Sequence, residues 1–89
     1  MPKITMYSTR ICPYCTMAER FLKQRGLEVH KILIDQHPQE MSSMIEKTGR
    51  RTVPQIFIGA HHVGGYDDLM ALEMEGELEP LLLKAADEC

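Results

Sequence analysis

No stretch of this 89-residue chain comes near the roughly 20 apolar residues that a helix needs to cross a bilayer. The longest apolar runs, such as Leu69-Met70-Ala71-Leu72, span only a few residues, so a helical membrane span is excluded and no membrane partner is expected. The N-terminal Met1-Pro2-Lys3-Ile4-Thr5-Met6 has neither the apolar region nor the small-residue cleavage site of a secretion signal, which points to the cytoplasm. Repeats, low-complexity tracts and linkers are missing as well. With 44% hydrophobic and 26% charged residues, residues 1–89 read as a single globular domain, too short for two, and as a monomer.

An excess of positive charge is also absent. Ten Lys and Arg face thirteen Asp and Glu, a net charge of −3, which offers no footprint for sequence-independent contact with a polyanion; nucleic acid is not expected as a partner. The imbalance is local, however. Residues 1–51 carry nine basic against five acidic groups, whereas 52–89 carry one against eight, and Glu73, Glu75, Glu77 and Glu79 read as a solvated face. Cysteine is scarce and odd in number. Of the three, Cys12 and Cys15 lie too close together to staple distant parts of the chain, so a structural disulfide framework is excluded. Cys12-Pro13-Tyr14-Cys15 is left with metal binding or thiol redox chemistry.

What is present reads as alternating strands and helices. Lys3-Ile4-Thr5-Met6-Tyr7 alternates with period two and predicts a strand, followed by a loop from Ser8 to Ile11. From Pro13 to Arg25, Met17, Ala18, Phe21 and Leu22 form one helical stripe, with Gly26 as C-terminal cap. Val29, Ile32, Leu33 and Ile34 make the next strand; Pro38 then opens a helix whose apolar face is Met41, Met44 and Ile45. Gln55-Ile56-Phe57-Ile58 and His61-His62-Val63 form a hairpin around Gly59-Ala60. Asp67 or Asp68 caps a third helix carrying Leu69, Met70, Leu72 and Met74, and Leu78 to about Ala86 is a last helical piece. A right-handed crossover makes the first two strands parallel, and the hairpin beside them completes a four-stranded mixed sheet covered by helices.

Proline favours the first helical position, so Pro13 there puts Cys12 at the N-cap and Cys15 on the same turn. The unpaired N–H groups and the positive helix end then favour thiolate at Cys12. A fall in its pKa from about 8.5 to about 5.5 would raise the thiolate fraction at neutral pH about 30-fold. A Brønsted slope of about 0.4 to 0.5 removes nearly as much intrinsic nucleophilicity, so the larger gain is as a leaving group. Cys12 is the nucleophile and Cys15 the resolving thiol. A zinc site would need two more ligands, but His61 and His62 are adjacent on a strand and point to opposite faces. No metal is expected. His30 and His37 read as surface or capping residues, Cys89 as an incidental thiol, and most of the seven methionines as core filler.

Three features coincide in order and spacing: Cys-Pro-Tyr-Cys after the first strand, Thr52-Val53-Pro54 before the hairpin, and Gly64-Gly65-Tyr66-Asp67-Asp68 opening the third helix. In these, and over nearly its whole length, the chain resembles the bacterial-type dithiol glutaredoxins of the thioredoxin superfamily. The resemblance implies an α/β thioredoxin-like fold and a glutathione-dependent thiol-disulfide oxidoreductase acting on protein–glutathione mixed disulfides and protein disulfides. Glutathione would be a co-substrate, with no cofactor tightly bound. It further implies a cis Val53–Pro54 bond, with Thr52, Val53 and Pro54 presenting backbone to glutathione docked as a short strand. The γ-glutamyl carboxylate would lie by Gly65, Tyr66, Asp67 and Asp68 at a helix N-terminus. The glycyl carboxylate would meet Arg50 or Arg51, Arg51 being nearer the docking strand, and Tyr14 would pack on the tripeptide. Where the family usually has a lysine three residues before the first cysteine this chain has Thr9, which makes Arg10 the candidate to stand in as thiolate stabiliser. Tyr66 occupies a place where some relatives carry another cysteine, so a third active-site thiol is not expected.

Two readings of other kinds compete. An iron-sulfur carrier would hold a cluster between two subunits with Cys12 and glutathione, but relatives of that kind generally lack the proline found at Pro13. A redoxin recharged by thioredoxin reductase would have no use for Arg51 and Asp67-Asp68.

Overall fold

The computed structural model describes residues 2–87; Cys89 lies outside the described residues. Eight elements follow one another: β1 (Ile4–Ser8), α1 (Pro13–Gln24), β2 (Val29–Leu33), α2 (Pro38–Thr48), β3 (Gln55–Ile58), β4 (His61–Gly64), α3 (Tyr66–Met74) and α4 (Leu78–Asp87). The strands stand side by side in the order β2-β1-β3-β4. β1 runs parallel to β2, with Ile4 beside Val29, and antiparallel to β3, with Ile4 beside Ile58. β4 closes the hairpin with a register shift between Ile56 and Phe57. A parallel pair needs a crossover, and α1 supplies it.

Period-two alternation in β1 decides which residues face which layer. Ile4 and Met6 point to a core shared with Ala18 and Leu22 of α1, Ile56 and Ile58 of β3, Leu69 of α3, and Leu78, Leu82 and Ala85 of α4. Tyr7 points to the opposite face, into a smaller cluster with Ile34 and Met44. There Phe57 meets the Tyr7 ring edge-on at 6.1 Å, and the Lys47 ammonium donates to the Tyr7 hydroxyl at 3.2 Å. β1 is thus buried on both sides. No described helix is long and apolar enough to cross a membrane.

The expected elements form, with differences in the apolar stripes and in one cap. Cys15, Ala18 and Leu22 are the buried residues of α1, whereas Met17, which at about 100° per residue lies well round the helix from all three, is 43% exposed. Met74 at the end of α3 is 86% exposed. Among the described methionines Met6 and Met44 are fully buried and Met41 and Met70 pack against the two clusters, as expected of core filler, while Met17 and Met74 are exposed. The cap of α3 is Gly65 rather than Asp67 or Asp68, and Gly64 belongs to β4, opposite Ile56. Asp68 still serves the helix start, from its third position, by accepting from the Gly65 N–H at 2.8 Å. The acidic face is not wholly solvated either. Glu73 and Glu79 converge on Arg25 at the end of α1, which also stacks on Phe21 at 5.1 Å, so the acidic half grips the basic one.

Leu22 and Met17, two members of the sequence-derived stripe, should therefore respond differently to truncation. Leu22→Ala empties a fully buried position and is expected to cost about 2 to 5 kcal/mol, whereas Met17→Ala should stay within about 0.5 kcal/mol. Denaturant unfolding of both variants measures this, and equal losses would contradict the packing of α1.

Candidate active site

The centre of the site lies where the chain leaves β1. Cys12 is the N-cap of α1, with extended φ and ψ of −153° and 100°, and Pro13 follows in the first turn. Its Sγ accepts from the Cys15 N–H at 3.1 Å, a hydrogen bond that satisfies one first-turn donor and places positive dipole on the sulfur. The Cys12 carbonyl accepts from the Thr16 N–H at 3.0 Å and from its hydroxyl at 3.2 Å, which fixes the cap residue itself. Cys15 is buried, Cys12 only partly so, and their Cα atoms are 5.2 Å apart. The two sulfurs are joined as a disulfide, so this is the oxidised form of the pair.

Beside the pair runs a groove of about 230 Å³, lined by Tyr14, Arg50, Thr52, Val53, Pro54, Gln55, Gly65, Tyr66, Asp67 and Asp68. One rim is the segment before β3, where the Val53–Pro54 bond is cis. The other is the N-terminus of α3, whose first-turn N–H groups have no partner within the helix. The rims touch: the nearest atom to a Cβ at Gly65 would be the Pro54 carbonyl oxygen, at 3.6 Å. Tyr14, 60% exposed, and Tyr66 face each other across 6.1 Å and form an aromatic wall.

Electrostatics concentrates at the α3 end. Asp68 accepts from the Gly65 N–H and, at 3.0 Å, from Arg50 Nη1; these two bonds hold its carboxyl below the usual range. Gly64 must be glycine here. Its φ is +115°, and a Cβ would fall on the Asp68 carboxylate and come within 3.0 Å of Arg50 Nη1.

Of the residues expected at the site, Tyr14, Thr52, Val53, Pro54, Gly65, Tyr66, Asp67 and Asp68 come together on this groove. Between the two candidate arginines it is Arg50 that lines it; Arg51 is exposed and does not. The preference for Arg51 counted residues to the docking strand, while the ion pair with Asp68 turns Arg50 inward. Arg10 faces another way, donating from its backbone N–H and its Nε to Asp35 at 3.3 Å each. One groove residue, Gln55, and a neighbour behind it, His62, escaped the sequence reading. Gln55 looks like an ordinary strand residue; its only signal was a polar residue directly after a proline, and the structure buries it. His62, one of the adjacent histidines, turns inward onto Gln55 at 2.8 Å while His61 is exposed.

A helix-capping cysteine, a buried second cysteine one turn on and a sheet of this topology define a thiol-disulfide oxidoreductase of the thioredoxin-like class. A family model described as Glutaredoxin matches residues 4–63. The chain is 47% identical over 83 residues to a glutaredoxin of Neisseria meningitidis serogroup A, covering 92% of this chain and 98% of that protein. It is 44% identical over 82 residues to Glutaredoxin 3 of Escherichia coli K12, covering 92% and 99%. Among solved structures, a buckwheat glutaredoxin-glutathione complex superposes with a TM-score of 0.87 at 31% identity, covering 96% and 80% of the two chains. The glutaredoxin of Brucella melitensis does so at 0.79 and 46%, covering 92% and 89%. The chain belongs to the glutaredoxin family.

The depressed Asp68 carboxyl has a consequence for acid stability. A carboxyl whose folded pKa lies below its unfolded value of 3.8 contributes stability above that value and loses it as pH falls through the folded one. Asp68→Asn should accordingly flatten the fall of Tm on acidification below about pH 4, leaving a smaller Tm difference from wild type at the lowest pH. Thermal unfolding followed by circular dichroism from pH 7 to pH 2 checks it; parallel curves would remove Asp68 from the acid-sensitive set.

Proposed function

We propose that this enzyme is a glutathione-dependent reductase of protein–glutathione mixed disulfides and protein disulfides, with Cys12 as nucleophile and Cys15 as resolving thiol. The observation that carries the reading is the capped Cys12 sulfur two residues from Tyr14, which lines a groove with a backbone edge on one rim and a helix N-terminus on the other. Val53 precedes the β3 ladder, which begins at Gln55, so its N–H and C=O are outside the sheet and suit a peptide docked as a strand. The α3 N-terminus suits the γ-glutamyl carboxylate and Asp67 its ammonium group, while Tyr14 and Tyr66 suit the flank of the tripeptide. Arg50 fits the glycyl carboxylate better than Arg51, because only Arg50 lines the groove. Arg10, paired with Asp35, is turned from the role of thiolate stabiliser, which leaves the first-turn N–H groups of α1 to hold the charge. The similar buckwheat structure, a glutathione complex by its description, supports the same ligand class. The working form is a cytoplasmic monomer, in line with redox-active rather than structural cysteines.

In the one-cysteine route the Cys12 thiolate attacks the glutathionyl sulfur of a mixed disulfide, the target leaves as thiolate and takes a proton, and Cys12 holds the glutathionyl group. A second glutathione thiolate attacks that sulfur, releasing glutathione disulfide and regenerating Cys12. In the two-cysteine route Cys12 is joined to the target protein, Cys15 attacks the Cys12 sulfur, and the target leaves reduced. The product is the Cys12–Cys15 disulfide seen here, which two glutathiones reduce in turn. A cap that stabilises the thiolate makes Cys12 the better leaving group in both.

Cys12→Ser is expected to abolish both activities. Cys15→Ser should keep or enhance removal of glutathione from mixed disulfides while losing most reduction of protein disulfides, because Cys15 closes the intramolecular disulfide unproductively when glutathione is the intended exit. A coupled assay with glutathione and glutathione reductase reads both; loss of the first activity in Cys15→Ser would favour the thioredoxin-reductase-linked reading. The carboxylate contact is tested separately. Arg50→Glu should raise KM for a glutathione mixed disulfide at least about tenfold, as a charge-assisted contact of about 1.5 to 3 kcal/mol becomes a repulsion, and Arg51→Glu should raise it less. The reverse order would move the subsite to Arg51.

A further inference from the structure

His62 has no part in the chemistry above, yet its ring nitrogen lies 2.8 Å from Gln55 in the floor of the groove. Gln55 is 1% exposed, and its amide is held at both ends. One end faces the Thr52 carbonyl at 3.0 Å and the Thr52 hydroxyl at 3.3 Å. A backbone carbonyl can only accept, so the amide nitrogen must be at that end. The amide oxygen is therefore at the His62 end, where it can only accept in its turn. It follows that Nε2 of His62 carries a proton, and that this donor holds the buried oxygen in place. The imidazole is itself fixed by stacking on Phe57 at 5.0 Å.

The chain of bonds runs from β4, the strand that leads into α3, to the segment before β3. His62 sits on β4, which leads directly into Gly64, Gly65 and the start of α3; Gln55 and Thr52 bracket Val53 and Pro54 on the opposite rim. Arg50 and Asp68 tie the rims at the exposed end, but both side chains are nearly half exposed there. The tie through His62 ends on the buried Gln55 amide, where an unpaired oxygen is costly.

We propose that His62 is a positioning residue for glutathione docking: by donating from Nε2 to Gln55 it locks Thr52 and the Val53–Pro54 edge at the distance from α3 that the tripeptide spans. The proposal rests on the glutathione reading given above. Burial and the nearby Arg50 charge, with a smaller contribution from His61, outweigh the pull of Asp68 and keep the ring below the usual histidine range. At neutral pH it is the uncharged Nε2–H tautomer that does the work.

The experiment compares His62→Leu, which fills the space without a donor, with His62→Gln, whose amide can donate to the same oxygen. Steady-state kinetics with a glutathione mixed disulfide of a small thiol should show KM raised about five- to tenfold in His62→Leu with kcat within about twofold, matching one lost hydrogen bond. His62→Gln should recover most of the difference. Nitrogen-15 spectra of the imidazoles in the wild-type protein should show His62 protonated at Nε2. An Nδ1–H tautomer, an unshifted KM in a folded His62→Leu protein, or an equal KM defect in His62→Gln would each overturn the positioning role while leaving the glutathione reading intact. Wild-type turnover that does not saturate with the mixed disulfide would overturn both.

Discussion

β1 is covered on both faces, and nearly every feature of the active site is held by that burial. Ile4 and Met6 are clamped between β3, α1 and the last two helices, while Tyr7 is clamped by Met44 and Phe57 from the other side. A strand so confined ends at a defined point and in a defined direction. Four residues after its last member, Ser8, the chain reaches Cys12 as the cap of α1. The buried stripe of α1 lies on the same core, so the first turn that donates to the sulfur cannot rotate away from it. The sulfur's place at the helix N-terminus is therefore tied to packing, since Ala18 and Leu22 hold down the helix whose Cys15 N–H donates to Sγ.

The groove depends on a second kind of constraint, in which polar groups take the place of apolar ones. Its two rims come from segments more than ten residues apart in sequence, and the bond from Arg50 to Asp68 joins them directly. Asp68 gathers Gly65 and Arg50, and Gln55 gathers Thr52 and His62. Such networks rigidify only when every member is satisfied, and among the described residues no buried side-chain nitrogen or oxygen lacks a partner. A groove set beforehand in this way costs a flexible ligand less to bind than one that must first be ordered.

Charge separation along the chain finds its use in the folded state. Arg25 at the end of α1 meets Glu73 and Glu79, and Arg50 meets Asp68, so the basic first half and the acidic second half are joined at two places. These pairs are exposed enough that each contributes little to stability. Their effect is on direction: the pair with Asp68 aims Arg50 into the groove, whereas Arg51, one residue on, is left in solvent.

The sequence by itself determined the order of elements, the capping position of Cys12 and the redox character of the pair, because each rests on contacts within a few residues. Period-two alternation, a proline at a first helical turn and two cysteines on one turn are local signals that tertiary structure had no reason to override. Tertiary structure decided what depends on partners distant along the chain. Met17 and Leu22 belong to one expected stripe, but the core takes the face of Cys15, Ala18 and Leu22 and leaves Met17 exposed. Arg50 and Arg51 are equivalent until Asp68, eighteen residues later, selects one of them. Asp68 lies inside the first turn that it helps to cap, because Gly65 takes the cap and leaves its N–H for that carboxylate. His61 and His62 are indistinguishable in the sequence until the register of the hairpin places His62 over Phe57, within reach of Gln55, and leaves His61 outside.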